Sequence, residues 1–143
     1  MRISSPSNEK IKAVVQLQTK ASVRKKQKLF VVEGIKMYDE IPESDIETTY
    51  VSEKFYEENI KNGKISERTK KRLNNKEYII VSDNVFKNMS DTVTPQGIMA
   101  IVKQKKYELS DILKKEEKQI FMVLEGVQDP GNMGTIIRTG EGA

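Results

Sequence analysis

The stretch that decides the fold reads Gln119-Ile-Phe-Met-Val-Leu-Glu125 and continues as Gly126-Val-Gln-Asp-Pro-Gly-Asn-Met-Gly-Thr-Ile-Ile-Arg138-Thr-Gly140. Its first part is a continuous apolar run, which is typical of a strand that is buried on both faces. Its second part is a polar loop that leads into a helix, which we expect to begin near Asn132 with Ile136 and Ile137 facing inward. A strand, a tight loop and a helix N-terminus form the ligand-binding unit of open α/β folds.

The composition excludes several classes of site. The chain has 143 residues, long enough for one domain and part of a second, and it contains no cysteine and no histidine. Disulfides, thiolate catalysis and the commonest general base are therefore excluded, and we expect no metal site. No apolar run approaches the ~20 residues that span a bilayer, and no secretory signal follows Arg2. We expect a cytoplasmic protein that does not bind membranes.

Positive charge is concentrated near the beginning of the chain, although the net charge is only +4. The densest part, Arg24-Lys25-Lys26-Gln27-Lys28, is predicted to be a loop that leads directly into a strand at Leu29. Several long cations at one strand end are suited to phosphate contacts, which indicates a nucleic-acid partner. A solvated connection without a partner is an equally good interpretation of the charge alone.

Apolar patterns predict short strands alternating with short helices from Leu29 to Val102. A first helix is predicted to be capped at Ser5 and to end near Ala21, and three later helices are predicted to be capped at Ser52, Ser66 and Ser82. The predicted strands are residues 29–33, 46–51, 78–81 and 98–102. The helices predicted between them include residues 35–41 and a helix from Ser66 to Leu73. The basic residues of that second helix should form a solvated face: Arg68, Lys70, Lys71 and Arg72. This alternation predicts a compact three-layer α/β domain over residues 1–103. A charged, partly helical linker (104–118) then leads to a second domain at 119–143.

The closing loop lacks the residues of the common nucleotide-binding motifs. Gly126 and Gly131 have the spacing of a phosphate-binding loop, but Asn132 and Met133 stand where Lys and Ser or Thr are needed. Only fragments of a dinucleotide fingerprint are present. Asn132 and Arg138 remain, about two helical turns apart. The guanidinium could bind a phosphate or polarise a hydroxyl, or else Asn132 caps the helix and Arg138 forms a structural ion pair.

The segment from Leu124 to Thr139 resembles the first signature motif of the SpoU (TrmH) family of RNA ribose 2′-O-methyltransferases. Residues 28–36 and 94–102 are similar to the beginning and to the closing strand of that family's substrate-binding domain. The resemblance implies a small N-terminal RNA-binding domain, like that of ribosomal proteins that bind kinked RNA. The first strand and the helix start of a truncated, knotted SPOUT methyltransferase domain would follow it.

The resemblance also implies roles for individual residues. Arg138 and Asn132 match the catalytic positions, and Arg138 would activate the ribose 2′-hydroxyl together with an RNA phosphate. The expected contacts to ribosomal or transfer RNA come from a set of polar residues: Arg24, Lys25, Lys26, Lys28 and Gln96. S-adenosylmethionine binds in the family's C-terminal knot, so no cofactor-binding residue is expected here, and the full-length protein should be a homodimer.

The family's second and third motifs do not occur in this chain. We therefore expect an N-terminal fragment that by itself neither binds the methyl donor nor methylates RNA. The alternative is a non-catalytic RNA-binding module in which the closing loop is structural.

Overall fold

A computed structural model describes residues 1–75, 77–113 and 120–142, and the chain divides into two compact units, Met1–Lys106 and Tyr107–Ala143. Residues 114–118 of the predicted linker and Gln119, the first residue of the predicted second domain, lie outside the described residues. Among the described residues, no helix has the length and apolar character needed to cross a membrane.

The first unit is built on a five-stranded sheet with the order β1-β4-β3-β5-β2. The strands are β1 Arg2–Ile3, β2 Leu29–Glu33, β3 Ile46–Ser52, β4 Tyr78–Val81 and β5 Ile98–Lys103. β4 pairs in parallel with β1 and with β3, whereas β5 is antiparallel to both β3 and β2. Four strands therefore run in one direction and β5 runs in the other. The predicted strands at 29–33, 46–51, 78–81 and 98–102 are confirmed.

Helices follow the strands in the order that the sequence predicts. They are α1 Glu9–Thr19, α2 Ala21–Gln27, α3 Ile35–Glu40, α4 Glu53–Phe55 with a π-helical turn Tyr56–Lys61, α5 Glu67–Asn75 and α6 Asp83–Met89. Ser52 and Ser82 cap α4 and α6 by accepting the backbone N–H of Phe55 and Val85. Ser66 accepts the N–H of Thr69 in the same way. The predicted serine caps of these three helices are confirmed.

Two hydrophobic cores lie on opposite faces of the sheet. One holds α1 and α6 against Tyr50, Val81 and Met99, and the other holds α3, α4 and α5 against the neighbouring strand residues, such as Val51 and Ala100. Successive strand residues enter opposite cores because side chains alternate along a strand. The mixed α/β architecture is confirmed, with a layer of helices on each face of the sheet.

The predicted beginning of the first helix was wrong. α1 begins at Glu9, and its cap is Asn8, whose side chain accepts the N–H of Lys10 at 3.0 Å. The Ser5 hydroxyl instead accepts the N–H of Ser7 within the preceding turn, so it is not available to cap a helix. The predicted loop at residues 24–28 was also wrong. α1 ends at Thr19, and residues 21–27 form a second helix, α2, so that only Lys28 of the basic run lies outside a helix.

Arg72 departs from the predicted solvated face of α5, since only 7% of its surface is exposed. Its guanidinium donates to the carbonyls of Asp39 and Ile41 at the end of α3, and it lies 5.5 Å from the centre of the Tyr38 ring. Burial raises the pKa of Tyr38, which stays a neutral phenol and shares a hydrogen bond with Thr49. Arg72 therefore joins α5 to α3, while Arg68, Lys70 and Lys71 are exposed as predicted.

The second unit contains α7 Leu109–Leu113 and α8 Pro130–Gly142. The predicted strand was wrong for residues 120–125, which adopt no regular structure. Within the described part of this unit there is no strand for it to pair with, and an unpaired strand leaves its backbone groups without hydrogen bonds. Ile137 does not face inward either, since 59% of its surface is exposed, whereas Ile136 is half-buried.

Candidate functional site

One edge of the sheet collects the ends of β2, β3 and β4 and the beginning of β5; we call it the carboxyl edge (residues 33–36, 52–54, 82–87 and 90–97). Backbone hydrogen bonds tie these segments together. Ser52 N–H donates to the carbonyl of Gly97 at 2.9 Å, and Gly34 N–H donates to the carbonyl of Ile98 at 2.9 Å. α3, α4 and α6 all begin here, directly after β2, β3 and β4. In open α/β sheets, ligands bind at this end of the strands.

Glu33 holds the loop of residues 90–97 at the carboxyl edge. Its carboxylate accepts hydrogen bonds from the hydroxyls of Ser90 at 2.7 Å and Thr92 at 2.9 Å. At the other end of the loop, the side-chain oxygen Oε1 of Gln96 accepts the backbone N–H of Ile35 at 2.9 Å. Gly34 has a φ of +97° and lies close to this oxygen. A side chain at this position would crowd the contact, because its Cβ would stand only 3.1 Å from the Gln96 oxygen. The predicted RNA-contact residue Gln96 is therefore exposed but also fixes the loop to α3.

Three exposed lysines border this edge: Lys36, Lys54 and Lys87. Lys36 lines a concavity of about 340 Å³ with residues of β2 and of the loop 90–97. Lys54 and Lys87 line a second concavity of about 230 Å³, together with Asp83, whose carboxylate accepts the backbone N–H of Lys54 at 3.0 Å. Sequence analysis missed these lysines because they lie in three separate segments, and only the sheet order brings them together.

The basic residues singled out from the sequence lie at the opposite end of β2. Lys28 immediately precedes the strand, and its carbonyl accepts the N–H of Gln104, just after β5, at 2.8 Å. β2 has 5 residues, each rising ~3.3 Å, so about 16 Å of strand separates Lys28 from the carboxyl edge. The structure therefore does not bring Gln96 together with Arg24, Lys25, Lys26 and Lys28.

Arg24 has a structural role that its neighbours do not share. Its Nη1 donates to the carbonyls of Leu17 and Gln18, both at 2.8 Å, at the end of α1. At the end of a helix, the last carbonyls have no backbone N–H from a following turn to accept. The Arg24 guanidinium supplies the hydrogen-bond donors that these two carbonyls would otherwise lack. Lys25, Lys26 and Lys28 are exposed.

In the second unit, Asp129 begins α8. Its carboxylate accepts the N–H of Asn132 at 2.7 Å, and Pro130 occupies the first helical position, where its missing N–H costs nothing. The expected helix start near Asn132 was therefore two residues late, and Asn132 is not the cap. Instead, Asn132 lies exposed in the first turn, with Arg138 exposed further along the helix.

Arg138 contacts its own helix. Its Nη2 donates to the Thr135 hydroxyl at 3.4 Å, and within the described residues no carboxylate lies at ion-pair distance from it. The structural ion pair considered from the sequence is therefore not found in this part of the chain. Asp129, Asn132 and Thr135 border a concavity of about 550 Å³ between the loop of residues 126–129 and α8.

This concavity does not form a site for S-adenosylmethionine. A ligand of that size is bound in pockets that bury most of its surface. Here one loop and one helix face border an open depression, and one of the two Asp129 carboxylate oxygens already caps α8. The lining of the concavity includes the Asn132 amide and the Thr135 hydroxyl, and the Arg138 guanidinium lies beside Thr135.

Comparison with known proteins identifies relatives across most of the chain. The family model of the MRM3-like substrate binding domain matches residues 8–100. The 23S rRNA (guanosine(2553)-2′-O)-methyltransferase RlmP of Bacillus subtilis is 28% identical over 99% of this chain and 51% of its own length. The mitochondrial rRNA methyltransferase 3 of Xenopus laevis is 26% identical over 96% of this chain and 32% of its own length. This chain thus spans about half the length of these relatives, or less.

Solved structures share the fold. The crystal structure of an RNA 2′-O ribose methyltransferase superposes with a TM-score of 0.65 at 22% identity, covering 99% of this chain and 52% of that chain. An AdoMet-bound rRNA methyltransferase from Sinorhizobium meliloti superposes with a TM-score of 0.63 at 23% identity, covering 99% of this chain and 51% of that chain.

Proposed function

The chain belongs to the family of MRM3-like substrate-binding domains, and from this premise we propose that the complete protein is an S-adenosylmethionine-dependent RNA ribose 2′-O-methyltransferase. The resemblance to the SpoU family is confirmed by the relatives, which are rRNA methyltransferases. The observation that carries the proposal is α8, where an Asp129-capped helix presents Asn132 and Arg138 within the motif that resembles the SpoU family's first signature. Among the described residues, no carboxylate pairs with Arg138. The first unit would bind RNA, and the second would begin the catalytic domain.

Arg138 acts on the RNA in this proposal. A guanidinium stays protonated throughout the physiological pH range, so it does not remove the proton of the 2′-hydroxyl, which would pass to the adjacent RNA phosphate or to water. It stabilises the negative charge that develops on the 2′ oxygen, and it can hold the adjacent phosphate with two parallel hydrogen bonds. Asn132, in the first turn of the same helix, offers an amide donor and an acceptor that can orient the ribose.

We place the methyl-donor site in the part of the complete protein that this chain does not contain. The open concavity beside α8 supports this placement, as does the greater length of the relatives. The 143-residue chain should then neither bind S-adenosylmethionine nor methylate RNA, and the complete protein should form a homodimer. Titration calorimetry on this chain tests the first point, and tight donor binding would overturn it.

We further propose that the carboxyl edge is the main RNA surface, with Lys36, Lys54 and Lys87 binding phosphates around the loop of residues 90–97. This choice rests on the three exposed lysines, the two concavities and the convergence of strand ends at one edge. The residues proposed from the sequence, Lys25, Lys26 and Lys28, would then be a second, weaker contact. Arg24 contributes mainly to the stability of α1, because its Nη1 already donates hydrogen bonds to the carbonyls at the end of that helix.

RNA binding at several salt concentrations separates the two surfaces. Changing Lys36, Lys54 and Lys87 to alanine should weaken binding and reduce the slope of log K against log salt by about 2, because each lost phosphate contact removes ~0.7–0.9. The matched control changes Lys25, Lys26 and Lys28 to alanine. It removes the same amount of charge, and because Arg24 is unchanged, the hydrogen bonds at the end of α1 are kept. If RNA affinity fell more in the control, the main RNA-binding surface would be the basic segment at the other end of β2.

Methyl transfer by the complete protein tests the proposed reaction. With labelled donor and RNA, the wild-type protein should label ribose 2′ oxygens, and Arg138→Ala should lower the rate about 100-fold or more without changing RNA affinity greatly. The competing function is a non-catalytic RNA-binding module, favoured by a family match that ends at residue 100, before the second unit. Tight RNA binding with no transfer by the complete protein would support that module.

A further inference from the structure

The guanidinium of Arg138 lies against the preceding turn of α8. Side chains of a helix point back toward its N-terminus, and Arg138 follows this rule, since its Nη2 reaches the Thr135 hydroxyl at 3.4 Å. A Cβ added to Gly134 would stand 3.4 Å from Nη1 and 3.9 Å from Nη2. The guanidinium therefore lies over the backbone of Gly134 and beside Thr135, one turn closer to Asn132 than its own Cα.

The hydrogen bonds of Thr135 have a defined direction. Its hydroxyl donates its proton to the carbonyl of Gly131 at 3.0 Å. With the proton committed to that carbonyl, the oxygen faces the guanidinium as an acceptor only, which is what a donor-only group such as arginine needs. Thr135 also borders the concavity of about 550 Å³ that Asn132 and Asp129 line. One side chain thus touches both the concavity and the arginine.

We propose that Thr135 is a positioning residue, whose hydroxyl holds the Arg138 guanidinium beside the concavity that Thr135 itself lines and in which the reacting ribose would bind. This proposal rests on the proposed function, because it assigns Thr135 a role through the catalytic Arg138. Without the hydroxyl, the arginine remains charged but samples other rotamers, and the fraction of time it spends beside the 2′ oxygen falls. Positioning of this kind affects the chemical step rather than RNA binding.

The test uses single-turnover and steady-state methyl transfer by the complete protein. Thr135→Val keeps the size and the branching of the side chain and removes the hydroxyl; we expect kcat to fall about tenfold with KM for RNA nearly unchanged. Thr135→Ser keeps the hydroxyl and should restore at least half of the wild-type kcat. The matched control is Thr139→Val, because the Thr139 hydroxyl makes the same type of bond, to the carbonyl of Thr135 at 2.9 Å, on the following turn.

The possible outcomes separate this proposal from the function on which it rests. Wild-type kcat in Thr135→Val, together with an inactive Arg138→Ala, would overturn the positioning role and leave the function intact. A rise in KM without loss of kcat, or equal losses in Thr135→Val and Thr139→Val, would show that Thr135 is merely structural. Full activity in Arg138→Ala would overturn the proposed function itself. Thermal unfolding of each variant checks that the fold is preserved.

Discussion

Two apolar segments of similar composition, residues 98–102 in the first unit and residues 120–124 in the second, have different structures. Ile98-Met-Ala-Ile-Val102 forms all of β5 except its last residue, with β3 on one side and β2 on the other, and its side chains are at most 7% exposed. Ile120-Phe-Met-Val-Leu124 is not a strand, and its side chains are 39–95% exposed. A strand requires neighbours for its backbone as well as an apolar sequence.

The same contrast extends to the helices of the two units. α1 and α6 bury complete apolar faces against the sheet, whereas α7 and α8 bury no residue in the described part of the second unit. The first unit therefore contains its own hydrophobic core, and substitutions there should have large effects on stability. Substitutions of the same kind in the second unit should have small effects on the stability of this chain.

The largest effect is expected from truncating a core leucine. Leu17 of α1 is 1% exposed, and Leu17→Ala should lower the free energy of unfolding by about 2–5 kcal/mol. The matched change in the second unit, Leu109→Ala at a residue 67% exposed, should change it by less than ~0.5 kcal/mol. Urea denaturation followed by circular dichroism measures both. Equal losses would contradict the contrast between the units.

Two glycines with positive φ make a similar pair. At Gly97, φ is +86° and an added Cβ would stand 2.7 Å from the Ser52 hydroxyl and 2.8 Å from the Phe55 Cβ, so Gly97→Ala should cost about 2–4 kcal/mol. At Gly126, φ is +68° and the space around an added Cβ is open, so Gly126→Ala should cost only the backbone strain of ~1 kcal/mol. Denaturation midpoints of the two variants check the difference. A smaller loss at Gly97 would mean that the carboxyl edge is less tightly packed than described.

Arg72 tests whether α5 is anchored by a buried cation. Arg72→Met keeps the apolar stem but leaves the Ile41 carbonyl without its donor, so we expect a loss of about 2 kcal/mol. The Asp39 carbonyl loses one hydrogen bond but still accepts another from Arg68. Lys71→Met, at the exposed neighbouring position, is the control and should change stability by less than ~0.5 kcal/mol. If Arg72→Met proved as stable as the wild type, the join between α5 and α3 would not depend on the guanidinium.

The smallest effect should come from Lys28, which adopts the left-handed conformation at φ +57° where α2 ends. Lys28→Gly should stabilise the first unit by about 0.5–1 kcal/mol, because glycine adopts this conformation without steric cost. The same variant removes one of the basic residues that the sequence assigned to RNA. RNA affinity measured alongside stability therefore shows how much that lysine contributes to binding.

Sequence analysis predicted the first unit well for local reasons. Ser52, Ser66 and Ser82 precede short amphipathic helices, and a serine there caps the helix whatever lies around it. The four strands were found because β-branched apolar runs with turn residues at their ends have few other structures. The first helix start was wrong because Ser5 and Asn8 are both good caps, and the hydroxyl of Ser5 is used within its own turn.

The candidate sites were harder to predict. α8 was predicted because one short motif contains its start, and the roles of Asn132 and Arg138 stay predictions from the same motif. Lys36, Lys54 and Lys87 were missed because they are 18 or more positions apart and carry no local signal. Arg72 was missed for the same reason, since its partners Asp39 and Ile41 lie 33 and 31 positions earlier in the chain. Nothing in a helix as polar as α5 marks one cation for burial.

The sequence by itself determined the elements whose causes lie within a few residues: the strands of the first unit, the serine caps and the motif of α8. These depend on backbone preferences and side-chain alternation, which act over one or two turns. Only the tertiary structure decided which lysines share the carboxyl edge, why Arg24 and Arg72 serve as structural donors, and whether an apolar run becomes a strand. Those outcomes depend on strand order and on hydrogen-bond partners far along the chain, because burial and pairing are properties of neighbours in space.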